Sequence, residues 1–145
     1  MAGAATTYDG LAVAEEPPFG ATVVVYRRRD GNLELLLLHR AHHGPDHEGD
    51  WAWTAPSGAR LPNEPPEAAA ARELEEETGL RLPFRQLCDG ADDWFTYAAE
   101  APADVVVVLN AEHDRLEWLA AAEALARCRP QRVAAQLQML LTALS

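Results

Sequence analysis

Three glutamates, Glu73, Glu76 and Glu77, stand at positions i, i+3 and i+4 of a segment rich in helix formers. At about 100° per residue these positions share one helix face, within an arc of roughly 100°. Like charges at this spacing repel, by roughly a few tenths of a kcal/mol per pair when exposed. The cost grows in a cleft, where desolvation also penalises charge. A hard divalent cation offsets it: Mg²⁺ takes carboxylate and water oxygens and bridges to substrate phosphates. A trio of carboxylates on a helix is equally the pattern of a plain solvated acidic face.

The residues around the trio add a second constraint. Gly58, five residues, Glu64, seven residues, Arg72-Glu73-Leu74, one residue, Glu76-Glu77, one residue and Gly79-Leu80 follow in order. This stretch resembles the Nudix box, G-x5-E-x7-R-E-U-x-E-E-x-G-U with U a bulky aliphatic, at every specified position. The likeness spans most of Ala21 to Ala126, because a hairpin, a tryptophan-bearing strand and "EHDRLEW" (Glu112–Trp118) flank the box.

The resemblance implies an α/β/α sandwich with a mixed β-sheet, the box forming a loop-helix-loop. It implies hydrolysis of a diphosphate linked to a nucleoside, with Mg²⁺ or Mn²⁺. Carried over by position, Glu73, Glu76 and Glu77 are the metal ligands, and Glu73 also orients or deprotonates the attacking water. Arg72 holds these carboxylates, Gly58 lets its loop pass close to the metal, Gly79 ends the helix, and Glu64 supports from outside. Where many members read Pro-Gly-Gly-Lys, this chain reads Pro56-Ser57-Gly58-Ala59, with Arg60 the nearest base; Asn63 replaces a glycine often found before the box glutamate. No metal position is altered, so catalysis is expected to persist and selectivity to differ.

Further residues carry paired readings. Glu112 or Glu117 supplies an extra ligand or general base from across the cleft, Glu112 being preferred; each is otherwise an ordinary surface acid. Tyr97, seventeen residues beyond Leu80, sits where relatives acting on dinucleoside polyphosphates carry a tyrosine; it stacks on a base or belongs to the core. Arg27, Arg40 and Arg60 are candidate phosphate contacts. His39, His42, His43 and His47 resemble a zinc cluster but lack cysteine partners, which favours a solvated, substrate-covering loop.

These groups need elements to position them. "ATVVVYRR" (Ala21–Arg28), the turn "RDGN" and "LELLLLHR" (Leu33–Arg40) predict a β-hairpin, Asp30-Gly31 providing the positive φ of its turn. "AHHGPDHEGD" (Ala41–Asp50) reads as loop, and "WAWTAPSG" (Trp51–Gly58) as one short strand with Trp51 and Trp53 packed on a shared face. Asn63 is the expected cap of a helix over Glu67–Thr78, entered through Pro65-Pro66 and ended by Gly79. Ala71, Leu74 and Thr78 form its packing stripe, apart from the acidic face. "PFRQLC" (Pro83–Cys88), "WFTYA" (Trp94–Ala98) and "DVVVVLN" (Asp104–Asn110) predict strands, the last buried on both faces. Helices follow over "EWLAAAEALARC" (Glu117–Cys128) and Arg132–Leu141. The order predicts a mixed α/β domain over residues 19–145, after a tail, Met1–Pro18, that can order against it.

The chain of 145 residues carries a net charge of −11, and its twelve basic residues are all arginine. Such a surface repels a nucleic-acid backbone, so duplex DNA or RNA is excluded as the expected partner. No apolar run reaches the length of a membrane span. Cys88 and Cys128 are far apart, which predicts no disulfide framework and a reducing, cytoplasmic setting. The expected function is hydrolysis of a dinucleoside polyphosphate or (deoxy)nucleoside triphosphate by a monomer or homodimer. Competing readings are a nucleotide-sugar pyrophosphatase of the ADP-ribose type, a non-catalytic nucleotide-binding module, and a plain interaction domain with an acidic helix.

Overall fold

A computed structural model describes residues 12–88 and 93–145. Strands β1 (Gly20–Arg29) and β2 (Asn32–Arg40) form the expected hairpin, Tyr26 opposite Leu35, with Asp30 and Gly31 at positive φ in the turn. Three strands extend it into the sheet order β3-β2-β1-β6-β5, where β3 is Trp53–Thr54, β5 is Arg85–Cys88 and β6 is Trp94–Glu100. β6 runs parallel to β1, and the other ladders are antiparallel, so the sheet is mixed. β4 (Ser57–Ala59) pairs with the start of β1, and β7 (His113–Ala120) pairs with β2.

Two cores follow from the period of two along a strand. Val23, Val25, Leu36 and Leu38 point to one face, against Ala70 and Leu74 of α1 (Pro66–Thr78). Val24, Leu35 and Leu37 point to the other, against Ala124 of α2 (Ala121–Arg127) and Val133, Leu137 and Leu140 of α3 (Gln131–Leu144). Helices on both faces make the α/β/α sandwich.

Helix α1 matches its expected span, but its ends are built differently. Pro65 is the N-cap and no side chain caps it; Asn63 instead takes φ 64°, which asparagine tolerates. Gly79, at φ 73°, closes the helix and donates its N–H to the Glu75 carbonyl at 2.8 Å. Ala69 and Ala70 share the buried stripe with Leu74 and Thr78, whereas Ala71 is exposed. Glu73 and Glu77 are buried as well, so the acidic face is not segregated from the packing face. Glu76 stays exposed.

The segment "DVVVVLN" (Asp104–Asn110) is not a strand. Val105, Val107 and Leu109 pack on the α1-side core, while Val106 and Val108 are 75% and 65% exposed. Its backbone is tied to α1 by the Val108 N–H donating to the Thr78 carbonyl at 2.8 Å. The strand lies beyond it as β7, which takes Glu117–Ala120 from the expected helix, so α2 starts at Ala121. Leu116 and Trp118 pack on one face of β7 and Leu119 on the other, the alternation of a strand. The single strand expected over Trp51–Gly58 is two, β3 and β4, divided at Ala55-Pro56. Part of the expected tail is described: Ala14 is buried and donates its N–H to the Arg60 carbonyl at 2.7 Å. Residues 1–11 lie outside the described residues.

Candidate active site

Arg72 organises the box. Its Nε and Nη2 donate to the two oxygens of Glu64 at 2.9 and 3.0 Å, a bidentate fork. Nη1 donates to Glu73 at 2.8 Å and to Glu76 at 3.3 Å, and Nη2 also reaches the Ala59 carbonyl at 2.9 Å. One guanidinium thus ties α1 to the β4 loop and holds three carboxylates. Burial pushes the Glu64 carboxyl up, but the Arg72 fork and the Leu61 N–H outweigh it and hold it below its ordinary value. The same fork to Glu64 raises the pKa of Arg72, against the opposing effect of burial.

Glu73 is pressed onto Gly58. A Cβ at residue 58 would fall 2.2 Å from the Glu73 Cδ, so only glycine admits the carboxylate there. Glu77, 1% exposed, lies deeper. Its Oε1 accepts the Ser57 N–H at 3.1 Å, and its Oε2 has no partner among the described residues. Burial raises the Glu77 carboxyl well above its ordinary value, and the neighbouring Glu73 and Glu112 carboxylates push the same way. Burial raises Glu73 too, and Arg72 only partly opposes it. Without an ion, burial and mutual repulsion thus disfavour full ionisation of the pair.

Glu112 faces this helix from the turn before β7, and His113 opens that strand. One ligand atom each from Glu77, Glu112 and His113 lie within 4.8 Å of one another. The His113 Nδ1 is buried without a hydrogen-bond partner among the described residues. Desolvation, with Arg40 adding to it, lowers the His113 pKa to about 4, leaving a neutral ring at neutral pH. Clustered carboxylates, an orphaned oxygen and an orphaned imidazole nitrogen fit a divalent cation, which would offset the charge and satisfy both atoms.

A cleft of about 260 Å³ opens over Glu73, Glu76, Glu112, Arg72, Asn110 and Arg40. It shares Arg40, Ser57, Gly58 and Trp94 with a second cavity of about 290 Å³ lined by Phe19, Trp51, Thr54 and Gln136. Trp51, expected as packing, is 41% exposed at φ 66°, while Trp53 is buried. The Arg40 Nε and the Thr54 hydroxyl are buried without partners among the described residues. Arg40, expected as a substrate contact, therefore sits where the two cavities meet.

Other predicted contacts lie elsewhere. Arg27, farther along β1 than the box-facing Gly20–Thr22, donates to Glu34 at 2.7 Å and lies 4.2 Å from the Trp118 ring centre. Arg60 is buried and spends its donors on the carbonyls of Glu16, Pro18 and Glu64, pinning the N-terminal segment. Tyr97 is core: 2% exposed, its ring edge-on to Phe84 at 5.2 Å. Glu117 pairs with Arg127 of α2. Its place on β7 between Leu116 and Trp118 turns it to the sheet face away from α1. His39 is no loop ligand: it is fully buried on β2, bonded to Asp114 at 2.8 Å and to the His47 carbonyl at 2.7 Å. His42 and His43 stay exposed, their rings 4.7 Å apart.

Residues 17–140 match the family model of the NUDIX domain. The chain belongs to the Nudix family. Among relatives of this Nudix domain, a putative 8-oxo-dGTP diphosphatase 3 of Mycobacterium tuberculosis is 37% identical over 116 residues, covering 70% of the chain and 52% of that protein. An octanoyltransferase of Myxococcus xanthus is 33% identical over 135 residues, covering 84% of the chain and 36% of that protein. The chain thus spans about half, or less, of the length of these relatives. A solved structure of the Ap4A hydrolase of C. elegans, as a binary complex, superposes with a TM-score of 0.70 at 25% identity, covering 86% of the chain and 96% of that structure.

Sequence reasoning missed His113, Trp51 as a cavity wall, and the Phe19–Trp94 side of the second cavity. His113 had a readable signal, a histidine directly after the preferred acid Glu112. The aromatic wall had none, because Phe19, Trp51 and Trp94 come from three separate stretches.

Proposed function

We propose that this Nudix domain hydrolyses a diphosphate linkage in a nucleotide, with Mg²⁺ or Mn²⁺ held by Glu73, Glu76, Glu77 and Glu112. The observation that carries the reading is Glu77: a buried carboxylate with an unpartnered oxygen, facing two further carboxylates beside an open cleft. Bound divalent ions would neutralise phosphate charge, polarise the scissile P–O bond and lower the pKa of a coordinated water.

The chain's own residues do the rest. Arg72 fixes the Glu73 carboxylate, so little reorganisation is needed when substrate arrives. Glu73, against Gly58 at the cleft wall, is placed to orient or accept a proton from the attacking water. Arg40 lines both cavities, which supports a phosphate contact by its guanidinium between them. The second cavity, with Trp51 and Trp94 in its walls, suits a nucleobase, which stacks on indole faces. Tyr97, withdrawn into the core, gives up that role.

A (deoxy)nucleoside triphosphate or dinucleoside polyphosphate is the proposed substrate, in a cytoplasmic setting and as a monomer or homodimer. The test is a panel of these compounds and ADP-ribose, each with Mg²⁺ or Mn²⁺ in ¹⁸O-labelled water. Cleavage that places label on one product phosphate supports the reading and names the attacked phosphorus. Tight binding with no turnover of any member would make this a nucleotide-sensing Nudix domain instead.

A further inference from the structure

The two well-buried histidines of this domain differ in how their rings are used. His39 engages both nitrogens, with Asp114 and the His47 carbonyl. His113 is 5% exposed, yet its Nδ1 has no partner among the described residues. The nearest carboxylate to that nitrogen is Oε2 of Glu112 at 3.9 Å, and Nε2 lies 4.0 Å from Oε1 of Glu77. Both separations exceed hydrogen-bonding reach. Only one ring nitrogen can bind a given ion, because the two lone pairs diverge. Nδ1 and the Glu112 Oε2, at 3.9 Å, stand within the about 4.2 Å that separates opposite donors at about 2.1 Å from an octahedral ion. The unpartnered Glu77 Oε2 lies in the same group of side chains. Among the described residues a buried nitrogen of His113 and a buried oxygen of Glu77 each lack a partner, and both side chains belong to the group that could hold an ion.

We propose that His113 is a nitrogen ligand, so that the ion shared with Glu77 and Glu112 is a first-row transition cation rather than Mg²⁺. Mg²⁺ keeps to oxygen donors and octahedral water, whereas imidazole binds the transition series more strongly. The proposal rests on reading the cleft as a divalent-metal site, but on no particular substrate. It also gives β7 a role in the site: pairing with β2 sets His113 opposite Arg40, at the edge of the cleft.

The deciding experiment uses the full chain, freed of metal and loaded with less than one equivalent of Mn²⁺. Electron spin-echo modulation of the bound Mn²⁺ is expected to show ¹⁴N coupling from a coordinated imidazole. In His113→Gln the coupling is lost, and Mn²⁺ affinity falls by at least about tenfold, the loss seen when even an outer partner of a ligand is removed. Mg²⁺ affinity falls less. His113→Asn serves the same purpose if the glutamine variant does not fold. Bound Mn²⁺ without ¹⁴N coupling in the wild type overturns the role of His113 and leaves the carboxylate site standing. Coupling that persists in a folded variant overturns it equally. Failure of the wild type to bind Mn²⁺ at all removes the metal reading and the proposal together.

Discussion

The Glu73 carboxylate lies against the backbone of Gly58, so close that a methyl group at residue 58 would overlap it at 2.2 to 2.4 Å. The loop glycine and the helix glutamate are thus one device, in which absence of a side chain sets where a charge can sit. The overlap involves the end of a flexible side chain rather than backbone. Gly58→Ala is therefore expected to fold and to displace the carboxylate. Mn²⁺ affinity should drop by at least about tenfold with a small change in melting temperature, read by metal titration and thermal denaturation. Unchanged metal affinity contradicts the device.

Arg72 makes five contacts from one planar fork, to Glu64, Glu73, Glu76 and the Ala59 carbonyl. A lysine keeps the charge but not the geometry. Arg72→Lys is expected to lose about 2 kcal/mol of stability, since charge-assisted bonds to partly buried carboxylates are broken. The measurement is a urea midpoint at constant m-value. A loss below the scatter of ordinary surface substitutions, about 0.5 kcal/mol, would show the fork to be incidental.

Glu77 gives the metal-free protein a pH dependence of definite sign. Its folded pKa is raised above its ordinary value of 4.5. Between those two values the native state holds more protons than the unfolded chain, so this group makes stability fall as pH rises. His113 acts oppositely: its pKa is lowered from 6.5 to about 4, so its contribution rises with pH across that interval. Glu77→Gln isolates the first effect. Without metal, the variant should melt above the wild type near pH 7, and the gap should close towards pH 4.5. A gap that is constant with pH, or reversed, contradicts the buried-carboxyl account.

Trp51 holds a positive φ and leaves its indole on the second cavity. Backbone strain at an exposed aromatic fits a binding role better than a packing one. Trp51→Ala is expected to shift stability by less than about 0.5 kcal/mol. It should raise KM by about tenfold with a smaller change in kcat, from the loss of stacking on the base. Steady-state kinetics on the best substrate of the panel makes the comparison; an unaltered KM would move the base elsewhere.

Much of this site was readable because its parts are local. Gly58, Glu64, Arg72, Glu73 and Glu77 lie within one loop and one helix, where spacing converts directly into geometry. The hairpin was equally legible from its turn residues and apolar strands. What escaped depends on distant chain. Arg60 resembled a free phosphate contact until the carbonyls of Glu16 and Pro18 occupied it. The run of valines after Asp104 signalled burial, but apolar content does not say whether a backbone is paired; every second valine turns outward. β7, with mixed composition, was hidden beside it. Tyr97, open to either reading, is core, and Trp51, expected as packing, lines a cavity: an aromatic residue favours core and cavity wall alike, and only tertiary placement separates them.

The central claim is that buried carboxylates at the cleft hold the divalent ions that promote diphosphate hydrolysis. The most direct measurement is the metal-dependent turnover of the best panel substrate by wild type and by Glu77→Gln, with folding of both verified. Turnover in the wild type that requires the divalent ion, and falls by at least about a hundredfold in the variant, is the predicted result. Equal rates in the two proteins would contradict it.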